Sequence, residues 1–437
     1  MKRILAAAAL WAVSTGAQAL PVAARDVNVR SDAVSAKVVA WRRDIHANPE
    51  LGFAEVRTSK LVADHMRKLG LEVRTGIAGT GVVGILRGAL PGPVVALRAD
   101  MDGLPVKEMS GLPFASTVTS TWNGQPVPVA HACGHDTHVA MLMGAAEVLA
   151  GLKDRLPGTV LFVFQPAEEG GPAGKEAGGA AAMLAAGVFN DPKPAAIFGL
   201  HVVPGEAGTV FYKSQGFMAA ADQIYITLKG KQTHAAWPWQ GVDVISLSSA
   251  IVSELNTLAA RTVDVTATPT VLSISTINGG VRWNIIPEEV KLTGTLRTFD
   301  PKQRVDMQAK IKTTIANLAA SYGAKSEVTF AASGGVTWND PKLSAWIAAP
   351  LREAAGEEKV DPARRPTMVS EDFSYFQEKI PGVFYHLGGT PRGTDPASAA
   401  PNHSPYFMVD ESILPLGVRT HVLTALRYLE ANAPAPK

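Results

Sequence analysis

Three apolar runs in the first half of the chain end in acidic or histidine residues, and this feature restricts the fold more than any other. The runs and the residues that follow them are 94–98 before Asp100, 159–164 before Glu168 and Glu169, and 195–200 before His201. Each run has the length and apolar content of a buried strand, and helical spacing follows His135. Strands that alternate with helices predict an α/β sheet, and ligands of such sheets gather at the carboxyl ends of strands. The sequence therefore predicts a polar site at one edge of this sheet.

A second pattern interrupts the first. Its predicted elements are strand 222–229, helix 242–258, strands 270–277 and 289–297, helix 301–320 and strand 326–331. This β-α-β-β-α-β order is typical of a ferredoxin-like domain. We therefore predict a ferredoxin-like domain at residues 215–332, inserted between the two parts of a mixed-sheet α/β domain at residues 20–214 and 333–437.

The N-terminal residues differ from the rest of the chain. Lys2 and Arg3 precede an apolar run, residues 4–13, and the small residues of Ala17-Gln18-Ala19 follow it. This arrangement predicts a secretory signal peptide over residues 1–19, cleaved before Leu20, and a periplasmic or secreted protein. No later run of ~18 apolar residues predicts a membrane span, so we expect no membrane association after cleavage.

Charge and cysteine content exclude several classes of protein. The formal net charge is +2, from 41 basic and 39 acidic residues, so no basic excess indicates a nucleic-acid partner. Cys133 is the single cysteine, which excludes an internal disulfide. It also argues against a structural zinc finger, since no second pair of cysteines exists.

The segment from His131 to His138 contains the strongest local signal for chemistry. Within it, Cys133 and His135 flank a glycine, and thiolate and imidazole are preferred donors for zinc-like divalent ions. The alternative interpretation of the segment is a buried thiol beside structural histidines.

The acidic pair Glu168-Glu169 is the second signal. Adjacent carboxylates repel one another, so a cation is expected nearby, and one carboxylate is then free to bind metal while its neighbour handles a proton. A solvated acidic turn is the alternative. His201 and His403 are further candidates, although a lone histidine is more often structural than a ligand.

Read together, these blocks closely resemble the M20 metallopeptidase family, in the amidohydrolase branch that includes auxin-conjugate and hippurate hydrolases and related carboxypeptidases. The resemblance runs from about Trp41 to the C-terminal helix. Its matching stretches, in chain order, are Leu97–Pro105, His131–Asp136, Gln165–Gly170, Gly199–His201, Thr233–Ala236, Asn284–Pro287, Ser370–Phe373 and Asn402–Pro405.

The resemblance implies a centre of two divalent metal ions in the larger, catalytic domain. The implied ligands are Cys133, His135, Glu169, His201 and His403, with Cys133 bridging the two ions. Glu168 is implied as the general base, and Asp102 is a candidate for orienting a ligand histidine. Asp136 and His138 are further candidates for that supporting role. Zinc or manganese fits this mixed ligand set, as do cobalt and nickel.

The resemblance also assigns roles to the inserted domain as a lid and dimerisation domain. His234 is implied to polarise the scissile carbonyl, from its own subunit or from a partner's. Asn284 and Arg297 match positions that bind the free carboxylate of the substrate, and an arginine fork suits a carboxylate. The alternative for Arg297 is an ion pair with Asp300. We expect a homo-oligomer that forms through this domain.

The implied reaction is hydrolysis of the amide bond of an N-acyl amino acid with a free carboxylate. An apolar or aromatic side chain is expected, and hippurate-like or ochratoxin-like conjugates are candidate substrates. Phe217, Trp237, Trp239 and Trp283 are candidates for the pocket lining, and Phe217 and Trp283 are equally candidates for the core. The alternatives are a dipeptidase or aminoacylase of the same fold, or an inactive binding protein on the same scaffold.

Overall fold

A computed structural model describes residues 22–172 and 178–435 of the chain. The predicted signal peptide, residues 1–19, lies outside the described residues. Within those two ranges no helix is long and apolar enough to cross a bilayer.

The described residues form nine α-helices and eighteen strands. The helices are α1 (Ala24–Ala47), α2 (Val56–Lys68), α3 (His135–Ala150), α4 (Gly179–Ala185), α5 (Val244–Thr262), α6 (Pro301–Ser321), α7 (Pro341–Ala355), α8 (Phe373–Gln377) and α9 (Leu414–Asn432). The strands are β1 (Glu72–Ile77), β2 (Gly81–Arg87), β3 (Leu90–Asp100), β4 (Thr119–Trp122), β5 (Gln125–Pro128), β6 (Pro157–Gln165), β7 (Ala196–Val203), β8 (Val210–Phe211), β9 (Gln215–Met218), β10 (Ala220–Lys229), β11 (Thr233–His234), β12 (Thr270–Gly279), β13 (Ile285–Ile286), β14 (Glu289–Thr298), β15 (Lys325–Gly334), β16 (Thr337–Asn339), β17 (Val360–Asp361) and β18 (Gly382–Gly388).

The larger unit is built on a mixed sheet of eight strands, in the order β1-β2-β6-β3-β7-β18-β8-β17. Its four central strands, β6, β3, β7 and β18, run parallel to one another. Their carboxyl ends therefore meet at one edge, where Asp100 lies opposite Gln165 and His201 lies opposite His386. The predicted mixed α/β fold with a large sheet is confirmed.

Helices cover both faces of this sheet. On one face α1, α3 and α9 pack against one another over the main apolar core. The packing is close at Gly144 of α3, where an added Cβ would lie 2.7 Å from Val38 Cγ2 and 2.9 Å from Val418 Cγ2. On the other face, α4 and α8 cover a second core that contains Phe373 and Phe384. The sheet is thus buried on both faces, and the polar residues at the carboxyl ends of its strands lie on a rigid framework.

The smaller unit is a four-stranded antiparallel sheet in the order β12-β14-β10-β15, packed against α5 and α6. Asp243 and Asp300 cap the two helices by accepting hydrogen bonds from backbone N–H groups of the first turn. β12 is an edge strand, and Val271 and Ile277 of this strand are exposed. The unit therefore presents one unpaired sheet edge with apolar side chains.

Candidate metal centre

Cys133 and His135 lie at the start of α3, beside the edge where the parallel strands end. Gly134 separates them with a φ of 95°, a conformation that residues with a Cβ rarely adopt. An added Cβ here would also contact the ring of Phe407, at 3.5 Å. The glycine thus lets the backbone turn sharply into α3 and keeps the two candidate donors adjacent.

Cys133, Glu169 and His403 form the first cluster of donors, with one ligand atom of each within 4.8 Å of the others. His403 Nε2 lies 2.7 Å from Glu169 Oε1, yet this buried oxygen accepts no hydrogen bond of regular geometry. Cys133 Sγ lies 3.4 Å from His201 Nε2. Sulfur, nitrogen and carboxylate donors therefore converge at one place, and such a mixed set suits a divalent cation.

His135 joins Glu168 and Glu169 in a second, overlapping group of donors. Its Nδ1 lies 2.9 Å from the Asp102 carbonyl oxygen and 3.2 Å from Asp102 Oδ1, and its buried Nε2 has no hydrogen-bond partner. Asp102 Oδ2 accepts a hydrogen bond from the Glu169 N–H at 3.0 Å. Asp102 thus orients two candidate ligands, and it leaves the Nε2 lone pair of His135 free for an ion.

His201 and His138 differ in what their ring nitrogens contact. His201 Nδ1 lies 2.9 Å from the Val202 carbonyl oxygen, which leaves Nε2 directed at Cys133. In contrast, His138 uses Nδ1 for Asp100 Oδ1 at 2.6 Å and Nε2 for the Val202 N–H at 2.8 Å. Both nitrogens of His138 are therefore engaged, and the residue supports the strand ends instead of offering a donor.

Asp136 points away from the donor groups. Its Oδ2 accepts hydrogen bonds from Arg42 Nε and His46 Nδ1, both at 2.8 Å, and both partners belong to α1. Asp136 is thus placed to join α1 to α3, and among the described contacts it orients none of the predicted ligands.

Glu168 is half-buried and lies over a group of further carboxylates. Its Oε1 accepts a hydrogen bond from the Asp372 N–H at 3.3 Å. Burial, and then the charges of Glu371 and Glu169, raise the pKa of Glu168 well above its ordinary value. A carboxylate in such surroundings binds a proton more readily than an exposed one.

Below Glu168 lies a buried ionic network centred on Arg98 of β3, which was not among the predicted site residues. Arg98 donates to Asp100 at 2.6 Å, to Glu371 at 2.9 Å, to Asp372 at 3.2 Å and to Gln165 at 2.8 Å. Although burial favours a neutral acid, the Arg98 guanidinium holds the pKa of Asp100 well below its usual range. A charged residue in an otherwise apolar strand was the sequence signal for this network, because such a charge needs partners.

The donor groups open into a pocket of about 650 Å³. One wall holds Cys133, Glu168, Glu169, His201 and His403. Further lining residues are Phe211, Phe217, Met218, Arg364 and His386. Phe217 both lines this pocket and is buried in the second core, whereas Trp237, Trp239 and Trp283 are exposed on the smaller unit.

Of the predicted residues of the smaller unit, His234 and Asn284 lie close together, whereas Arg297 lies near the carboxyl end of β14, paired with Ala221 and Val271. His234 pairs with Ile285 in a short ladder, and the Ala235 N–H donates to the Asn284 carbonyl oxygen at 3.0 Å. Neither His234, Asn284 nor Arg297 is among the residues that line the pocket. Arg297 makes no ion pair with Asp300 within the described ranges, since Asp300 instead caps α6.

The chain matches the model of peptidase family M20/M25/M40 over residues 96–427. It is 39% identical to thermostable carboxypeptidase 2 of Saccharolobus solfataricus, over 90% of this chain and 95% of that protein. It is 38% identical to an IAA-amino acid hydrolase of Arabidopsis thaliana (90% and 86% covered). It is 35% identical to N-acetylcysteine deacetylase of Bacillus subtilis (90% and 97% covered).

A solved structure from Bacillus subtilis, a dinuclear metal-binding peptidase of the M20 family, superposes with a TM-score of 0.74 at 33% identity, over 91% of this chain and 99% of that one. A structure from methicillin-resistant Staphylococcus aureus superposes with a TM-score of 0.85 at 28% identity, over 93% and 100%. The donor set described above fits two divalent ions, of which zinc or manganese suits sulfur, nitrogen and oxygen ligands together. The chain therefore belongs to the M20 family, in its amidohydrolase branch, and is a metal-dependent hydrolase of amide bonds.

Proposed function

We propose that the enzyme hydrolyses N-acyl amino acids that carry a free carboxylate, R-CO-NH-CH(R′)-COO⁻, to a carboxylic acid and an amino acid. One observation carries the proposal: four of the five candidate metal donors, Cys133, Glu169, His201 and His403, line the same pocket as the half-buried carboxylate of Glu168. Support comes also from the Arabidopsis relative, named as an IAA-amino acid hydrolase, and from the Bacillus relative, named as an N-acetylcysteine deacetylase.

The proposed ligands are Cys133, His135, Glu169, His201 and His403. The Nε2 of His135, which is buried without a hydrogen-bond partner, supports this assignment, because buried polar atoms otherwise pair. Glu169 Oε1 lies 2.7 Å from His403 Nε2, which keeps these two proposed ligands adjacent. Two bound divalent ions supply Lewis-acid chemistry, which lowers the pKa of a water molecule at the site towards ~7.

Glu168 is the proposed general base. It takes a proton from the attacking water and then delivers that proton to the nitrogen of the leaving amino acid. Two observations support this role. The hydrogen bond from the Asp372 N–H holds the Glu168 carboxylate in place, and its raised pKa means that it binds a proton more readily.

The smaller unit is the proposed lid. His234 would then stabilise the oxyanion while Asn284 and Arg297 bind the substrate carboxylate. Arg297 has no carboxylate within 4.0 Å among the described residues, so its charge is available to an anionic substrate. Closure of the lid, or a second subunit, has to bring these residues to the pocket.

The second subunit is proposed to dock at the edge strand β12. Three apolar side chains are exposed at this edge: Ile277 of β12 (51%), and Val281 (95%) and Trp283 (87%) in the segment that follows β12. An unpaired sheet edge readily adds another strand. Replacing Ile277 by Lys should shift the protein from dimer to monomer in light scattering. The same change at Val305, an exposed apolar residue of α6, is the control, and a dimer that survives Ile277→Lys contradicts this interface.

The role of Glu168 is tested by Glu168→Gln. We expect kcat to fall by at least about a hundredfold while two metal ions per chain remain bound, because the amide keeps the shape but accepts no proton. Metal content by mass spectrometry and initial rates on an N-acyl amino acid are the measurements. Glu206→Gln, at an exposed residue that pairs with Lys359, is the matched control. Retained turnover in Glu168→Gln would remove this residue as the base.

The substrate class is tested with a panel in which each amino acid is offered N-acylated and as a free-amine dipeptide. We expect turnover of the N-acylated members. A preference for free-amine dipeptides would favour a dipeptidase, and no turnover after metal loading would favour a binding protein.

Export to the periplasm or medium is also proposed, on the charge and apolar pattern of residues 1–19. The mass of the purified protein tests it, since cleavage before Leu20 leaves 418 residues, the 437 of the full chain less 19. An intact N-terminus on protein recovered from the cytoplasm would contradict it.

A further inference from the structure

One side of the pocket has a composition that amide hydrolysis by itself does not require. Phe211 and Phe217 are buried there, and the His386 ring contacts both, with ring centroids 5.6 Å from Phe211 and 4.5 Å from Phe217. The three rings pack against one another at these distances and form one aromatic side of the pocket, the slot, against which a flat aromatic group can pack.

His386 brings an unused polar atom to this apolar slot. The residue is 6% exposed, and its Nε2 is buried without a hydrogen-bond partner. Most buried polar atoms in proteins are paired, so an unpaired ring nitrogen at a pocket wall indicates a group that pairs when substrate is present.

Arg364 adds a cation at the mouth of the same slot. Its guanidinium carbon lies 4.4 Å from the centroid of the Phe211 ring, so the side chain is held over that ring by a cation–π contact. Within the described ranges no carboxylate lies within 4.0 Å of its nitrogens. Asp361 also lines the pocket, but its Oδ1 accepts a hydrogen bond from the Ala363 N–H at 2.9 Å and so belongs to its own turn.

The slot lies close to the reacting bond. His386 on β18 is directly opposite His201 on β7, and their ring centroids are 6.1 Å apart. A group bound against these rings therefore lies beside His201, one of the proposed metal ligands. The free carboxylate of the amino acid is assigned to Asn284 and Arg297 of the lid, so the slot is left for the acyl half.

We propose that this wall is an acyl-group subsite for aromatic acids whose ring carries an ionised oxygen, a carboxylate or a phenolate. The substrate ring packs against the aromatic side formed by Phe217 and His386, and the oxygen pairs with Arg364 and His386. Charge-assisted hydrogen bonds of this kind are about twice as strong as neutral ones, so they select such acids over plain aromatic acids. The inference rests on the proposed hydrolysis of N-acyl amino acids.

The test compares phenylalanine acylated with acetyl, benzoyl, and hydroxy- or carboxybenzoyl groups at each ring position. We expect kcat/KM to be at least about tenfold higher for the best acidic benzoyl substrate than for the benzoyl substrate. His386→Phe and Arg364→Gln should each lower this ratio at least about fivefold, because each removes one partner of the oxygen. Arg392→Gln, at an arginine 81% exposed outside the pocket, should leave the ratio as it is.

Equal kcat/KM for acidic and plain benzoyl substrates would overturn the subsite. A decrease of kcat/KM in His386→Phe that is the same for every substrate would also overturn it. Turnover of the acetyl substrate with no acidic preference would leave the proposed hydrolysis standing without the subsite. Binding of hydroxybenzoate against benzoate to metal-loaded Glu168→Gln, by calorimetry, tests the subsite even without turnover. Tighter binding of hydroxybenzoate that His386→Phe abolishes supports it, and equal binding refutes it.

Discussion

At the scale of single residues, the site depends on side chains that orient the donors. Asp102 contacts both His135 and Glu169, and Arg98 fixes the carboxylates beneath Glu168. Asp100 stays ionised beside Arg98, whereas burial raises the pKa of Asp372 to about 8. Asp100 therefore supplies a firm negative charge against the Arg98 cation.

Replacing Arg98 by Met should lower the free energy of unfolding by about 3–5 kcal/mol, because Asp100 is then left buried without a counter-ion. Urea denaturation of the metal-loaded protein measures the change. Arg87→Met is the control, since Arg87 pairs with Glu72 on the surface and such pairs contribute less than about 1 kcal/mol. Equal effects of the two substitutions would mean that the network does not stabilise the fold.

The candidate donors were predictable because they lie in short, distinctive stretches that resemble the family, and Glu169 and His201 also follow apolar runs. The partners of Arg98 were not, since Glu371 and Asp372 follow it by more than 270 residues and only the parallel sheet brings them together. Asp136 was predicted to support a ligand, but a carboxylate next to His135 in sequence projects from a different side of α3, towards Arg42.

At the scale of elements, α1 is longer than its sequence pattern predicts. The apolar pattern of residues 36–69 predicts a helix with a break at Asn48-Pro49, whereas α1 spans Ala24–Ala47. Its buried positions include Val27, Ser31 and Val34, and the polar serine interrupts the apolar periodicity. In contrast, α5 and α6 lie within a few residues of their predicted bounds, 242–258 and 301–320, because their apolar stripes are continuous.

His46 links α1 to α3 through a contact that depends on pH. Burial by itself lowers the pKa of His46, but Asp136 at 2.8 Å and Glu108 at 2.9 Å raise it to about 9. Because the folded pKa exceeds the unfolded value of about 6.5, this stabilisation is fully present below pH 6.5 and is lost as the pH rises through 9.

We therefore expect the free energy of unfolding of the wild type to fall by about 3 kcal/mol more than that of His46→Gln between pH 6.5 and pH 9.5. Urea denaturation across this range gives both slopes. His65→Gln is the control, since burial lowers the pKa of His65 and its titration lies below this window. Parallel curves for wild type and His46→Gln would show that His46 is not charged in the folded protein.

At the scale of the whole molecule, the larger unit holds the donors and the smaller unit holds His234 and Asn284. Sequence patterns predict elements within each unit, but the separation of His234 from the pocket depends on packing between units, which no local pattern encodes. Asp222 of β10 and Arg304 of α6 form a bidentate pair at the cleft between them, where Trp338 and Gln377 of the larger unit also lie.

Metal binding should stabilise the larger unit, because only the folded chain brings the donors together. At a free metal concentration ~1,000 times Kd, we expect about 4 kcal/mol of added stability over chelator-treated protein. Thermal unfolding with and without zinc or manganese measures the difference. Glu169→Gln should lose most of it, whereas Glu289→Gln, the same change on the smaller unit, should retain it. An equal gain in both variants would place the bound metal elsewhere.

The proposed donors come from four separate places in the chain, and the last of them, His403, follows the first by 270 residues. The Asn402 side chain holds these two parts of the chain together, because it donates a hydrogen bond to the Cys133 carbonyl oxygen at 2.9 Å. During synthesis, a ribosome-bound chain that has reached only residue 400 has its central strands but lacks this contact. The complete set of proposed donors therefore exists only after His403 has been synthesised, and a fragment released earlier by the ribosome would lack one of the five.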